Sequence, residues 1–112
     1  MNLLTAYFIT LCAHILFDFV FQGQWIAKRK KFLNGFMLAH GISVSMACSL
    51  IVWSYYQTLY SLVGSFMIIF CTHIMIDSIK VELSKRYKNQ SQLLGLDQIF
   101  HATVLFLLYS AF

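Results

Sequence analysis

Four stretches of about 20 mostly apolar residues, with little between them, constrain this chain more than any other feature. They run roughly from Leu3 to Gln22, Leu33 to Ser54, Leu59 to Ile79, and Leu93 to Phe112. A membrane-spanning helix needs about 20 such residues. Backbone groups surrounded by hydrocarbon must be satisfied within their own segment, and the chain has no proline, so each stretch is expected to be an uninterrupted helix. Only 11% of the residues are charged, against about a quarter in an average soluble domain. That deficit excludes an ordinary core with a solvated surface, and the mean hydropathy of +0.73 agrees. The 112 residues leave no room for a second domain. The prediction is a single all-α domain over 1–112, an integral membrane four-helix bundle. The first stretch lacks the leading cations and trailing small-residue site of a signal peptide, and it is expected to stay in the mature protein.

The charges are sorted along the chain. All eight basic residues fall in two places: Lys28, Arg29, Lys30 and Lys31 after the first stretch, and Lys80, Lys85, Arg86 and Lys88 after the third. The link Tyr55-Tyr56-Gln57-Thr58 has no charge. Short loops rich in Lys and Arg stay on the cytoplasmic side. Both basic loops are therefore expected inside, with both termini outside. A net charge of +4 also suits nucleic acid or anionic lipid. Orientation already accounts for these cations, so membrane lipids are the expected partners and nucleic acid is not.

Cys12, Cys48 and Cys71 form no C-x-x-C pair and are read as small hydrophobes. Gly41, Ser45 and Ser49 make a small-residue stripe on the second helix. Such a stripe admits a close helix neighbour, within the chain or in a homo-oligomer. Cys12-Ala13-His14-Ile15-Leu16-Phe17-Asp18 and Cys71-Thr72-His73-Ile74-Met75-Ile76-Asp77 share the pattern C-x-H-I-x-x-D. Duplication and chance in an apolar background both explain it; the His-to-Asp spacing carries more information than the ancestry.

Every histidine and three of the four acids lie inside the apolar stretches. His14 with Asp18, His73 with Asp77, and Asp97 with His101 are each four residues apart, which places each pair on one helix face. The order is His before Asp on helices one and three, and Asp before His on the oppositely directed helix four. All three carboxylates thus lie nearer the cytoplasm, and the imidazoles about one turn deeper. At ~1.5 Å per residue, Asp18 is about 6 Å and His14 about 12 Å from the end of helix one. His40 falls near the imidazole layer, and Gln22, Gln98 and Lys80 lie at its rim. Ionised groups in hydrocarbon cost about 2.5–3.5 kcal/mol each and need partners. Imidazoles and carboxylates are the donor set of zinc and of non-haem iron or manganese, and four-helix bundles build metal sites this way. The set His14, Asp18, His40, His73, Asp77, Asp97 and His101 exceeds the needs of one ion. It suits two ions, or one ion with carboxylates orienting imidazoles. A metal-free proton relay and plain helix-to-helix hydrogen bonding are the other readings. Glu82 sits among Lys80, Lys85 and Arg86 and is set aside as solvated.

These residues also carry a resemblance. His14-Ile15-Leu16-Phe17-Asp18-Phe19-Val20-Phe21-Gln22, His40, His73-Ile74-Met75-Ile76-Asp77-Ser78-Ile79-Lys80 and Asp97-Gln98-Ile99-Phe100-His101 resemble the motifs of the domain-of-unknown-function 3307 family of small bacterial and phage membrane proteins. That family often shows H-x-x-x-H on its second helix; here His40 stands alone, with Phe36 and Val44 at the flanking positions. The resemblance implies a multi-pass protein of the bacterial inner membrane and no particular activity. A looser similarity extends to bacterial membrane-bound metal-dependent hydrolases. It implies a divalent ion, zinc first and iron or manganese next. Asp18, Asp77 and Asp97 would be the catalytic carboxylates, and Gln22, Lys80 and Gln98 would meet an amphipathic substrate. A small oligomeric proton or divalent-ion transporter and a structural or regulatory membrane partner are the alternatives. The absence of ionisable groups from the outer half of the stretches counts against transport.

Overall fold

The computed structural model describes residues 1–21 and 34–112. Regular structure among them is helical throughout. Helix α1 spans Leu3–Ile15 and continues as a π-helical segment, Leu16–Phe21. Helices α2 (Gly35–Tyr56), α3 (Leu59–Ser84) and α4 (Gln90–Ala111) follow. The predicted all-α bundle is the observed architecture. Gln22, Trp25 and the basic run Lys28 to Lys31 lie outside the described residues.

Each helix starts where a polar side chain can cap it. The side chains of Asn2, Asn34, Thr58 and Asn89 accept from the backbone N–H three residues on, at 2.8, 2.9, 3.1 and 3.1 Å. Such caps satisfy donors left free by the first helical turn and contribute about 1 kcal/mol each. Between α2 and α3 the chain reverses in two residues. Gln57 adopts the left-handed conformation, with φ 59°, and its N–H returns to Trp53 O. This left-handed cap ends α2 and leaves Thr58 free to start α3. Helix α3 runs beyond its apolar stretch through polar Glu82 and Ser84, and α4 begins three residues before Leu93.

The helices close a ring in chain order: α1 packs on α2, α2 on α3, α3 on α4, and α4 back on α1. Neighbours are antiparallel. One end gathers both termini and the Gln57 turn, with Tyr56 against Phe112 at 5.8 Å between ring centroids. The other holds Lys85, Arg86 and Lys88; these are called the terminal and basic ends. The apolar core lies toward the terminal end and includes Ala6, Val44, Cys48, Val52, Leu105 and Leu108.

The bundle is turned inside out relative to a water-soluble one. Phe8, Met46, Met67, Ile99 and Phe106 are exposed, while every histidine is buried. Helices α2, α3 and α4 are long and apolar enough to cross a membrane, and the first apolar run, Leu3–Phe19, is shorter. A continuous apolar exterior of this kind is what lipid tails cover.

The small-residue stripe is used within the chain. Gly41, Ser45 and Ser49 are all buried, and a Cβ on Gly41 would lie 2.9 Å from Ile74 Cδ1 on α3. Cys48 packs in the core as expected, whereas Cys12 and Cys71 lie on the outside of the bundle.

Candidate metal centre

The four-residue spacing does locally what helix geometry requires. On α3, His73 Nε2 lies 3.4 Å from Asp77 Oδ2; on α4, His101 Nε2 lies 3.1 Å from Asp97 Oδ1. Helix α1 reaches the same outcome differently. Asp18 belongs to the π-helical segment, and its Oδ2 comes 3.6 Å from His14 Nε2. Single wide turns of this type recur at functional sites because they re-aim side chains without breaking the helix.

Packing then brings the pairs together. His14, Asp18, His40, His73, Asp77, Asp97 and His101 are all buried. The His14, His73 and His101 rings form a triangle with centroids 5.4, 4.5 and 4.5 Å apart, and His40 lies 4.9 Å from His73. Carboxylates join the helices across the chamber. His40 Nε2 donates to Asp18 Oδ1 at 2.9 Å, and His73 Nε2 lies 3.7 Å from the same oxygen. Asp77 Oδ2 approaches His40 Nε2 at 3.9 Å, and its Oδ1 approaches His101 Nε2 at 3.6 Å. All seven residues therefore face one chamber to which every helix contributes.

Two neighbours named from the sequence have tasks that spacing alone does not reveal. Gln98 Nε2 donates to both Asp18 Oδ2, at 3.2 Å, and Asp97 Oδ2, at 3.0 Å, tying α4 to the π-helical segment. Lys80 reaches from α3 to Asp97 Oδ2 on α4, 3.1 Å away. A lysine near a helix end is expected to extend toward headgroups; this one keeps only 31% of its side chain exposed and pairs with a buried acid. Glu82 behaves as the sequence suggests, meeting Lys85 at 3.2 Å with both side chains about two-thirds exposed. Gln22 lies outside the described residues.

The chamber is not satisfied by its own hydrogen bonds. Both ring nitrogens of His14 and of His73, His101 Nε2 and Asp97 Oδ1 are buried with no hydrogen-bond partner among the described residues. His101 Nε2 and Asp97 Oδ1 are close but misaligned for a bond. A buried polar atom left this way costs about 1–3 kcal/mol. Among the described residues, three overlapping sets offer donor atoms within 4.8 Å of one another: His14, His73 and His101; Asp18, His40 and His73; and Asp18, Asp97 and His101. Donors on one zinc ion, each at about 2.0–2.1 Å, are at most about 4.2 Å apart. These residues fit a metal ion by donor type, burial and separation.

Comparison with known proteins adds the family. Searches among curated proteins and among solved structures found no match. The family model described as "Protein of unknown function (DUF3307)" matches residues 6–112. Its match covers part or all of each helix and every residue facing the chamber, and on that ground the chain belongs to the DUF3307 family.

Proposed function

We propose that this chain is a metal-dependent hydrolase of the bacterial inner membrane, acting on a lipid or other amphipathic substrate. The observation that carries the reading is the layer of four imidazoles and three carboxylates in one buried chamber, with His14 and His73 lacking hydrogen-bond partners among the described residues at both ring nitrogens. Charge supports it. Asp18, Asp77 and Asp97 are buried together, and a divalent ion among them would offset the repulsion between like charges held out of water. Zinc suits the mixed imidazole and carboxylate set best, with iron or manganese next. Such an ion would polarise an ester or phosphoester and make bound water acidic. His14, His73 and His101 are assigned as principal ligands, with His40 held ready by Asp18. One of the three carboxylates is assigned as general base.

The excess of basic residues in the two loops supports placing them in the cytoplasm, which puts the chamber within reach of headgroups of that leaflet. The test is metal content. Protein purified in detergent without added metal is assayed for zinc, iron and manganese beside the double variant His14→Ala, His73→Ala. Near-stoichiometric metal, lost in a variant that keeps its helicity, supports the centre. A metal-free wild type that is equally stable means the polar layer only holds helices together. Hydrolysis of ester and phosphoester lipids by the loaded protein, absent after chelation, then tests the enzyme.

A further inference from the structure

A groove opens on the lipid-facing side of the bundle between α3 and α4, on its basic half. Its volume is about 320 Å³, at the small end of the ~300–1,000 Å³ typical of ligand pockets. Its walls are apolar, from Met75, Ile76, Ile79 and Leu83 on one helix and Leu93, Leu96 and Phe100 on the other. The two charged residues among its lining are Lys80 and Asp97. Their exposures differ sharply. Asp97 keeps 2% of its side chain exposed against 31% for Lys80. A group arriving along the groove therefore meets the ammonium before the carboxylate. Behind that ion pair lies the chamber, since the second oxygen of Asp97 is 3.1 Å from His101 Nε2.

We infer that this groove takes the single hydrocarbon chain of a phosphate-bearing lipid, whose headgroup engages Lys80 beside Asp97. The volume suits one chain rather than two. The stretch from Met75 to Leu83 gives it roughly 12 Å of depth along α3. An apolar slot that ends at a half-exposed cation selects an anion carried on a hydrocarbon. A neutral lipid gains the slot alone, and free phosphate gains the cation alone. An anion at Lys80 also competes with Asp97 Oδ2 for the ammonium, so the headgroup and the chamber share one contact. The inference narrows the substrate class of the proposed hydrolase and rests on that reading for any chemistry after binding.

Binding and metal content are measured on the same detergent-purified samples of the full chain. Native mass spectrometry reads retention of 1-oleoyl lysophosphatidate, monoolein and inorganic phosphate. One lysophosphatidate per chain is expected, with monoolein and phosphate at least tenfold weaker. Leu96→Trp, which fills the groove from an exposed position, and Lys80→Met, which removes the cation, are each expected to weaken lysophosphatidate binding at least tenfold. Metal content in Leu96→Trp should stay at the wild-type value. The inference is overturned if monoolein binds equally well, if phosphate alone matches the lysolipid, or if neither variant changes retention. Those outcomes in a metal-loaded protein leave the metal centre standing. Variant-sensitive lysophosphatidate binding by a chain without metal supports the groove and removes the hydrolytic reading instead.

Discussion

Toward the terminal end of the bundle, buried polar side chains look after themselves; toward the basic end they do not. Thr10, Ser45, Ser49, Ser61 and Ser65 are fully buried, and each hydroxyl donates to a carbonyl of its own helix three or four residues back. With the Thr10 proton on Ala6 O, Tyr109 Oη donates to Thr10 Oγ1 at 2.6 Å, and Ala6 O lies 3.3 Å away. A hydroxyl can fold back on the preceding turn. The imidazoles and carboxylates of the chamber depend instead on other side chains, of their own helix or another, or on a ligand. The chamber has four helices' worth of such groups and still leaves ring nitrogens without partners among the described residues. The difference separates polar residues that only allow helices to pack from those that wait for something.

The sharpest way to break this contrast is at His73, which belongs to two of the three donor sets. His73→Ala is expected to lower bound metal per chain at least tenfold by elemental analysis, while Ser49→Ala leaves it unchanged. Equal metal in both would make the two halves alike. Next in size is chelation. Stripping the ion from wild type should lower the unfolding temperature by about ten degrees or more, since a tightly bound ligand contributes several kcal/mol by mass action. The same chelator should leave His73→Ala where it was. A smaller effect is expected in the self-contained half. Tyr109→Phe removes the bond to Thr10 and should cost about 1 kcal/mol, seen as a shift of a few degrees with full metal retained. Smallest is Ser65→Ala, expected within about 0.5 kcal/mol of wild type; a larger loss would mean that its hydroxyl serves more than its own helix.

The chamber is legible in the sequence because a helix repeats every 3.6 residues and a span fixes depth. Counting alone puts His14, His73 and His101 at one level and the three Asp at another. Rotation about each helix axis is not legible in the same way. Which face turns inward is set by packing, and once His14 and His73 face inward, Cys12 and Cys71 two residues before them fall on the opposite, outer face. Long side chains hide their partners for a related reason. Lys80 reads as a cation reaching toward headgroups, since its sequence neighbours do not show that Asp97 lies within 3.1 Å on the next helix. Gln98 can be placed at the rim, but its double donation to Asp18 and Asp97 depends on the α1–α4 contact. The π-helical segment leaves no trace at all, for Leu16 to Phe21 contain neither glycine nor proline.

That segment has a mechanical consequence. A helix closed by i→i+5 bonds accommodates one residue more than regular winding allows, and each residue turns an α-helix by about 100°. Deleting one residue between His14 and Asp18 would restore ordinary winding and leave the two three apart, on one helix face still but with the carboxylate re-aimed. Asp77 and Asp97 stand on regular α-helix, while Asp18 stands on a wider turn that sets its aim.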